Sequence, residues 1–145
     1  MAKHSTKRER TATEPFIVIK KGEYQCPARQ ALSGDEWLIY IDMRFRYNGR
    51  NNGQIVYSSR HAGEAIGKSH STGARALKRL VELHFIKIHK DYAFSQKRLC
   101  REYELTAIAL KPAQKKNKLP DGTRDFMKLS AKQVEAIISK TKNKT

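Results

Sequence analysis

Ser58-Ser59-Arg60-His61-Ala62-Gly63-Glu64-Ala65-Ile66-Gly67-Lys68-Ser69-His70-Ser71-Thr72-Gly73-Ala74-Arg75-Ala76-Leu77-Lys78-Arg79-Leu80-Val81-Glu82-Leu83-His84-Phe85-Ile86-Lys87-Ile88 is the stretch whose reading decides the fold. It divides into a short helix, a tight turn, a longer helix and the start of a strand. Ser58 or Ser59 is placed to cap the first helix, because a serine hydroxyl accepts from the unpaired N–H groups of a first turn. Ala62, Ala65 and Ile66 then recur at helical spacing and predict its inward side. Gly67 ends that helix, since glycine enters the left-handed conformation without steric cost. Ser69 or Ser71 can cap the second helix, expected over 71–84. Its period predicts Ala74, Leu77, Leu80 and Val81 inward, with Ser71, Arg75, Lys78, Arg79 and Glu82 outward. At Phe85-Ile86-Lys87-Ile88 the period changes to alternation, as in a strand leaving the helix.

The pattern is a helix-turn-helix followed by a β-strand. Three runs carry a resemblance: Ala62 to Gly67, Ser71 to Leu77, and Leu80 to Ile86. On them the chain resembles the winged-helix DNA-binding domain of small prokaryotic regulators and of plasmid and phage replication proteins. The resemblance implies an α+β fold, a winged helix-turn-helix with a three-helix core and a β-hairpin wing. It also implies that the second helix of the motif reads DNA and that the strand after it leads into the wing.

Charge points to the same class of partner. The 145 residues hold 30 Lys and Arg against 14 Asp and Glu, a formal net charge of +16. An excess of this size calls for an anionic partner: nucleic acid first, then an acidic membrane surface or an acidic protein. An RNA-binding protein would carry the same excess, so charge alone does not separate DNA from RNA. Cys26 and Cys100 are the only cysteines and stand far apart. Neither a disulfide framework nor a zinc site is expected of them, and two reduced thiols are. No apolar run approaches the roughly 20 residues of a membrane helix. The N-terminus has no signal-peptide core, so a cytoplasmic, nucleoid-associated protein is expected.

Three parts are expected along the chain: a basic arm over 1–14, a winged-helix domain over 15–110, and a basic connector with a short amphipathic helix over 111–145. The arm holds almost nothing to bury; it is either a segment that orders along a DNA groove or a solubilising tail. Pro15-Phe16-Ile17-Val18-Ile19 predicts a strand or an extended segment. Ser33 with Glu36 forms a capping-box pattern at the head of a support helix. Trp37, Leu38, Ile41 and Phe45 are expected inward there, with Tyr40 and Met43 flanking. Asn48 and Gly49 stop the helix, and Gly49 and Gly53 mark turn geometry. Strands are predicted at 54–57, 85–90 and 100–106, with Tyr103 and Leu105 on one side. The wing lies at 91–98. In the third part Phe126, Met127 and Leu129 are candidates to dock on the domain. Ser130 and Gln133 repeat the capping box before Val134, Ile137 and Ile138. So short a helix is marginal alone, so its apolar face must rest on the domain or on a second subunit. A homodimer would match a palindromic site.

No catalytic constellation is present. His4, His61, His70, His84 and His89 are scattered, and His84 is expected to be partly buried. No nucleotide cradle, HExxH or nucleophile motif occurs. The expectation is therefore not an enzyme, without metal or cofactor, that binds double-stranded DNA sequence-specifically, as a transcriptional regulator. Two alternatives stay open: a plasmid or phage replication or partition protein, and a winged-helix module for RNA or protein contacts. The DNA-contacting set is Lys68, Ser69, His70, Ser71, Thr72, Arg75, Lys78 and Arg79 from the motif, and Lys90, Lys97, Arg98 and Arg101 from the wing.

Overall fold

The computed structural model describes residues 14–91, 100–110 and 122–143. Among these the chain is α+β, with six helices and one three-stranded antiparallel sheet. Its centre is α3 (Gly34–Phe45), whose start was legible in the sequence. Ser33 Oγ accepts from the Glu36 N–H at 3.2 Å, and the Glu36 carboxylate accepts from the Ser33 N–H at 2.9 Å. Two otherwise orphaned donors are satisfied at once.

The face that α3 turns inward differs from expectation. Ile39, Tyr40, Met43 and Arg44 are buried, Trp37 and Ile41 are half-buried, and Leu38 and Phe45 are exposed. The cause lies in α1 (Lys21–Gln25), a helix without an apolar period to announce it. It carries the buried Glu23, whose Oε1 accepts from the Tyr40 hydroxyl and from Arg44 Nη1, each at 2.7 Å. Arg44 Nη2 also donates to the Val18 carbonyl at 2.5 Å. A buried charge must be paired and hydrogen-bonded. Seating this network inside fixes the rotation of α3 and puts Leu38 and Phe45 outside. Burial also pushes the Tyr40 hydroxyl far above its ordinary pKa, which keeps it a neutral donor. The run Pro15–Ile19 is extended rather than a strand, and its Phe16 and Val18 are exposed. Next comes α2 (Pro27–Gln30), with Pro27 at its first position, where a missing N–H costs nothing.

Gly49 and Gly53 take positive φ in the turn after α3, as expected. Between them the buried Asn52 ties that turn to the far end of the sheet. Its Oδ1 accepts from the Leu105 N–H at 2.7 Å, and its Nδ2 donates to the Ile108 carbonyl at 2.8 Å. The strands β1 (Ile55–Val56), β2 (Ile86–Lys90) and β3 (Glu102–Leu105) are shorter than predicted. They align in the order β1-β3-β2, with Tyr103 opposite both Ile55 and Ile88, and Leu105 opposite Ile86. Tyr103 and Leu105, expected on one side of the strand, are both buried, but so is Glu104 between them, which breaks the alternation.

The C-terminal segment closes the core. Gly122 and Arg124 donate their N–H groups to the Ala107 and Thr106 carbonyls, and Phe126 then stacks on Phe85 with centroids 4.6 Å apart. Phe126 is fully buried, whereas Met127, also expected to dock, is 40% exposed. Helix α6 (Ala131–Lys142) opens on the expected capping box and runs on through Lys140 to Lys142. Val134 is buried on it, and Thr141 Oγ1 donates to Glu82 at 3.1 Å. Of the two supports the sequence left open, the domain is the one that carries the α6 apolar face.

Candidate nucleic-acid interface

The two helices that follow β1, and the turn between them, are built as their serines and glycines require. Ser58 caps α4 (Ser59–Ile66), accepting from the His61 N–H at 3.1 Å. His61 Nδ1 accepts in return from the Ser58 N–H at 3.2 Å, so a histidine completes a capping box where an acid would be usual. Gly67 is left-handed at φ 65°, and the Lys68 N–H reaches back to the Gly63 carbonyl at 2.9 Å. That bond is the Schellman closure of a helix end. Ser69, the first of the two candidate caps, then caps α5 (His70–Glu82) by accepting from the Thr72 N–H at 3.3 Å.

The two helices cross in van der Waals contact at two glycines. A Cβ on Gly73 would lie 2.5 Å from the Ser59 carbonyl oxygen, and one on Gly63 2.8 Å from that of Lys68. No side chain fits there, so Gly63 and Gly73 set the closeness of α4 to α5. They also explain two misplaced alanines. Ala65 and Ala74 were expected inward but are exposed, because the close contact is made by Gly73 against Ser59, Ala62 and Gly63 instead.

On α5 the buried side is Gly73, Ala76, Leu77 and Leu80, with Val81 half-buried. His70, Ser71, Arg75 and Lys78 are exposed along the other side. Arg75 is steadied rather than paired. Its Nη2 donates to Thr72 Oγ1 at 3.4 Å, and that hydroxyl lies 3.1 Å from Ser69 Oγ. Arg75 and Lys78 have no carboxylate partner among the described residues. Arg60, exposed in the first turn of α4, is a further unmatched cation among the described residues that the expected set left out. The signal was present: a cap at Ser58 puts position 60 at the helix head.

Arg79 departs from expectation. It is half-buried rather than outward, and its Nη1 is enclosed without a hydrogen-bond partner. It lines a cleft of about 310 Å³ between α5 and the head of α3, together with Glu36 and Glu82. His84 departs too, being exposed instead of partly buried. It takes φ 62°, and its carbonyl accepts from Thr106 Oγ1 at 2.7 Å. This is a backbone turn that swings the chain from α5 into β2.

Three other cations of the expected set are already matched by acids. Lys68 is paired with Asp35, Arg101 with Asp91 at 2.8 Å, and Lys90 with Glu102 at 3.8 Å. Lys97 and Arg98 lie outside the described residues. A second cleft, of about 450 Å³, separates α5 from the sheet. Lys78 and Ala74 stand on one wall and Ile88 and Arg101 on the other.

Among the described residues no group of three or more His, Cys, Asp or Glu side chains could hold a metal ion. No described helix is long and apolar enough to cross a membrane. No family model, curated protein or solved structure matches the chain.

Proposed function

We propose that the chain is a winged helix-turn-helix protein that binds double-stranded DNA sequence-specifically and regulates transcription by occupying its site. In this reading α5 enters the major groove and the β2–β3 hairpin is the wing beside it. The protein then acts in the cytoplasm, on the nucleoid. The observation that carries the reading is the division of α5. One side is closed onto α4 by Gly73, Ala76, Leu77 and Leu80, and the other presents His70, Ser71, Arg75 and Lys78.

The chemistry of that exposed side suits base edges and phosphates. An arginine can donate two parallel bonds to guanine, while a lysine or a serine serves phosphate or base. The net charge of +16 supplies the non-specific attraction that any such contact starts from. Lys68, Lys90 and Arg101 are placed at the edges, where they must exchange an internal carboxylate for a phosphate. Arg75, Lys78 and Arg60 need no such exchange, so they are expected to dominate.

A duplex selected from a random pool and followed by fluorescence anisotropy tests this. Arg75→Ala should weaken it by about 1–3 kcal/mol and relax base preference at one position. Lys78→Ala should weaken selected and scrambled duplexes alike and flatten the salt dependence by about one unit of slope. Unchanged binding in both variants, with unchanged circular dichroism, would remove α5 from the reading role. Equal affinity for structured RNA and duplex would point instead to an RNA module. A footprint on iterated repeats would point to replication or partition.

A further inference from the structure

We propose that the C-terminal end of α6, at Lys140, is a second phosphate-binding element that holds the backbone of the same duplex that α5 reads. It rests on that reading of α5. The clefts around α5 mark its two flanks. Ala74, Leu77 and Val81 line the flank toward the sheet, and Arg79 and Glu82 the flank toward α3. Helix α6 stands on this second flank, where Thr141 joins the cleft wall and its Oγ1 donates to Glu82 at 3.1 Å. A third cleft, of about 280 Å³, separates the two helices. Lys78 and Glu82 of α5 line one wall, Ile137, Lys140 and Thr141 of α6 the other.

Charge and placement identify the ligand. Lys78 and Lys140 are exposed, and neither has a carboxylate partner among the described residues. Glu82, the acid of this cleft, is half-buried and already accepts from the Thr141 hydroxyl. An anion at the mouth therefore meets two ammonium groups ahead of the carboxylate. A helix lodged in a major groove, about 12 Å wide, has a phosphate strand along each side. The sheet stands toward one of those strands and α6 toward the other. An ammonium group is a compact charge with three donors, which suits a phosphate oxygen and carries no base preference. The buried Val134 and the Thr141 bond hold α6 against the domain, so the stem of Lys140 starts from a fixed place.

A salt titration of the intact chain on selected and scrambled duplexes tests the proposal, with Lys140→Ala, Lys140→Arg and Lys132→Ala. Lys132 is exposed in the first turn of α6, at the opposite end from Lys140, and serves as the control for net charge. Both alanine variants lose one positive charge, but only a direct contact releases a counterion. Lys140→Ala should lower the slope of log affinity against log salt by about 0.9 and weaken both duplexes alike. Lys140→Arg should restore the slope, and Lys132→Ala should leave it unchanged. Equal slopes for Lys140→Ala and Lys132→Ala would overturn the proposal. So would a loss confined to the selected duplex, which would make Lys140 a base contact. A lower thermal midpoint with an unchanged slope would overturn it too, leaving Lys140 only the partner of the negative end of its own helix. Unchanged binding in Arg75→Ala and Lys78→Ala would remove both readings at once. Weakened binding in those two, with Lys140→Ala at the control value, would remove α6 alone.

Discussion

Helices α3 and α5 are neighbours of nearly equal length, 12 and 13 residues, yet they divide their surfaces in opposite ways. On α5 the apolar and small residues take one side and cations and hydroxyls the other. On α3 apolar residues occur all round, and two of the four buried positions go to Tyr40 and Arg44. The difference follows from what each helix meets. The outward side of α5 at His70, Ser71, Arg75 and Lys78 is exposed, and amphipathic spacing orients the helix. Behind α3 stands a carboxylate, Glu23, that must be matched by hydrogen bonds, and this demand outweighs the burial of Leu38 and Phe45. Exposing two apolar side chains costs a few kcal/mol at most. An unmatched buried charge costs several.

The sharpest way to break this comparison is to remove the carboxylate. Glu23→Ala leaves the Arg44 guanidinium buried and unpaired, and should lower stability by about 3–5 kcal/mol in a urea melt. A loss below about 1 kcal/mol would mean that α3 is oriented by its apolar residues after all. On α5 the largest effect should come from the packed side instead. Leu80→Ala, at a fully buried position, should cost about 2–5 kcal/mol, while Arg75→Ala should stay within about 0.5 kcal/mol. Equal losses at the two positions would erase the division of the helix.

The smallest effect sharpens the contrast between a buried ion pair and an open one. Lys87 and Asp125 meet at 2.8 Å with side chains 43% and 23% exposed, against 6% each for Arg44 and Glu23. Asp125→Asn should therefore cost only about 0.2–1 kcal/mol at neutral pH. The hydrogen bond from Lys87 lowers the Asp125 carboxyl from 3.8 to about 2, so its contribution is present above pH 3.8 and is lost as pH falls through about 2. The stability difference between the intact chain and Asp125→Asn should close over that interval. A difference that persists unchanged at pH 2 would assign it to packing rather than to charge.

How much of the molecule could be read in advance depended on the range of the interaction. The caps at Ser33, Ser58, Ser69 and Ser130 and the left-handed Gly67 were legible because each is decided within a few residues. The candidate interface was legible for the same reason at Arg75 and Lys78, whose exposure follows from helical spacing around Leu77 and Leu80. Arg79 was not, since the cleft that encloses it is shared with α3. The pairing of Lys68 with Asp35 was not either, as it spans 33 positions. Helix α1 left no mark because, at 5 residues, it has no room for a period.

By itself, the sequence determined the positive balance, the places where helices start and stop, and the turn that joins α4 to α5. Each is a local or additive property of the residues, and no folding is needed to read it. Only the tertiary structure decided which side of α3 is buried, which cations already have acids, and that the face of α6 is taken up by its own domain. Those outcomes depend on where Glu23, Asp35 and Phe85 arrive from elsewhere in the chain. A buried charge or an aromatic face selects its partner by position in space, and spacing along the chain carries no record of it.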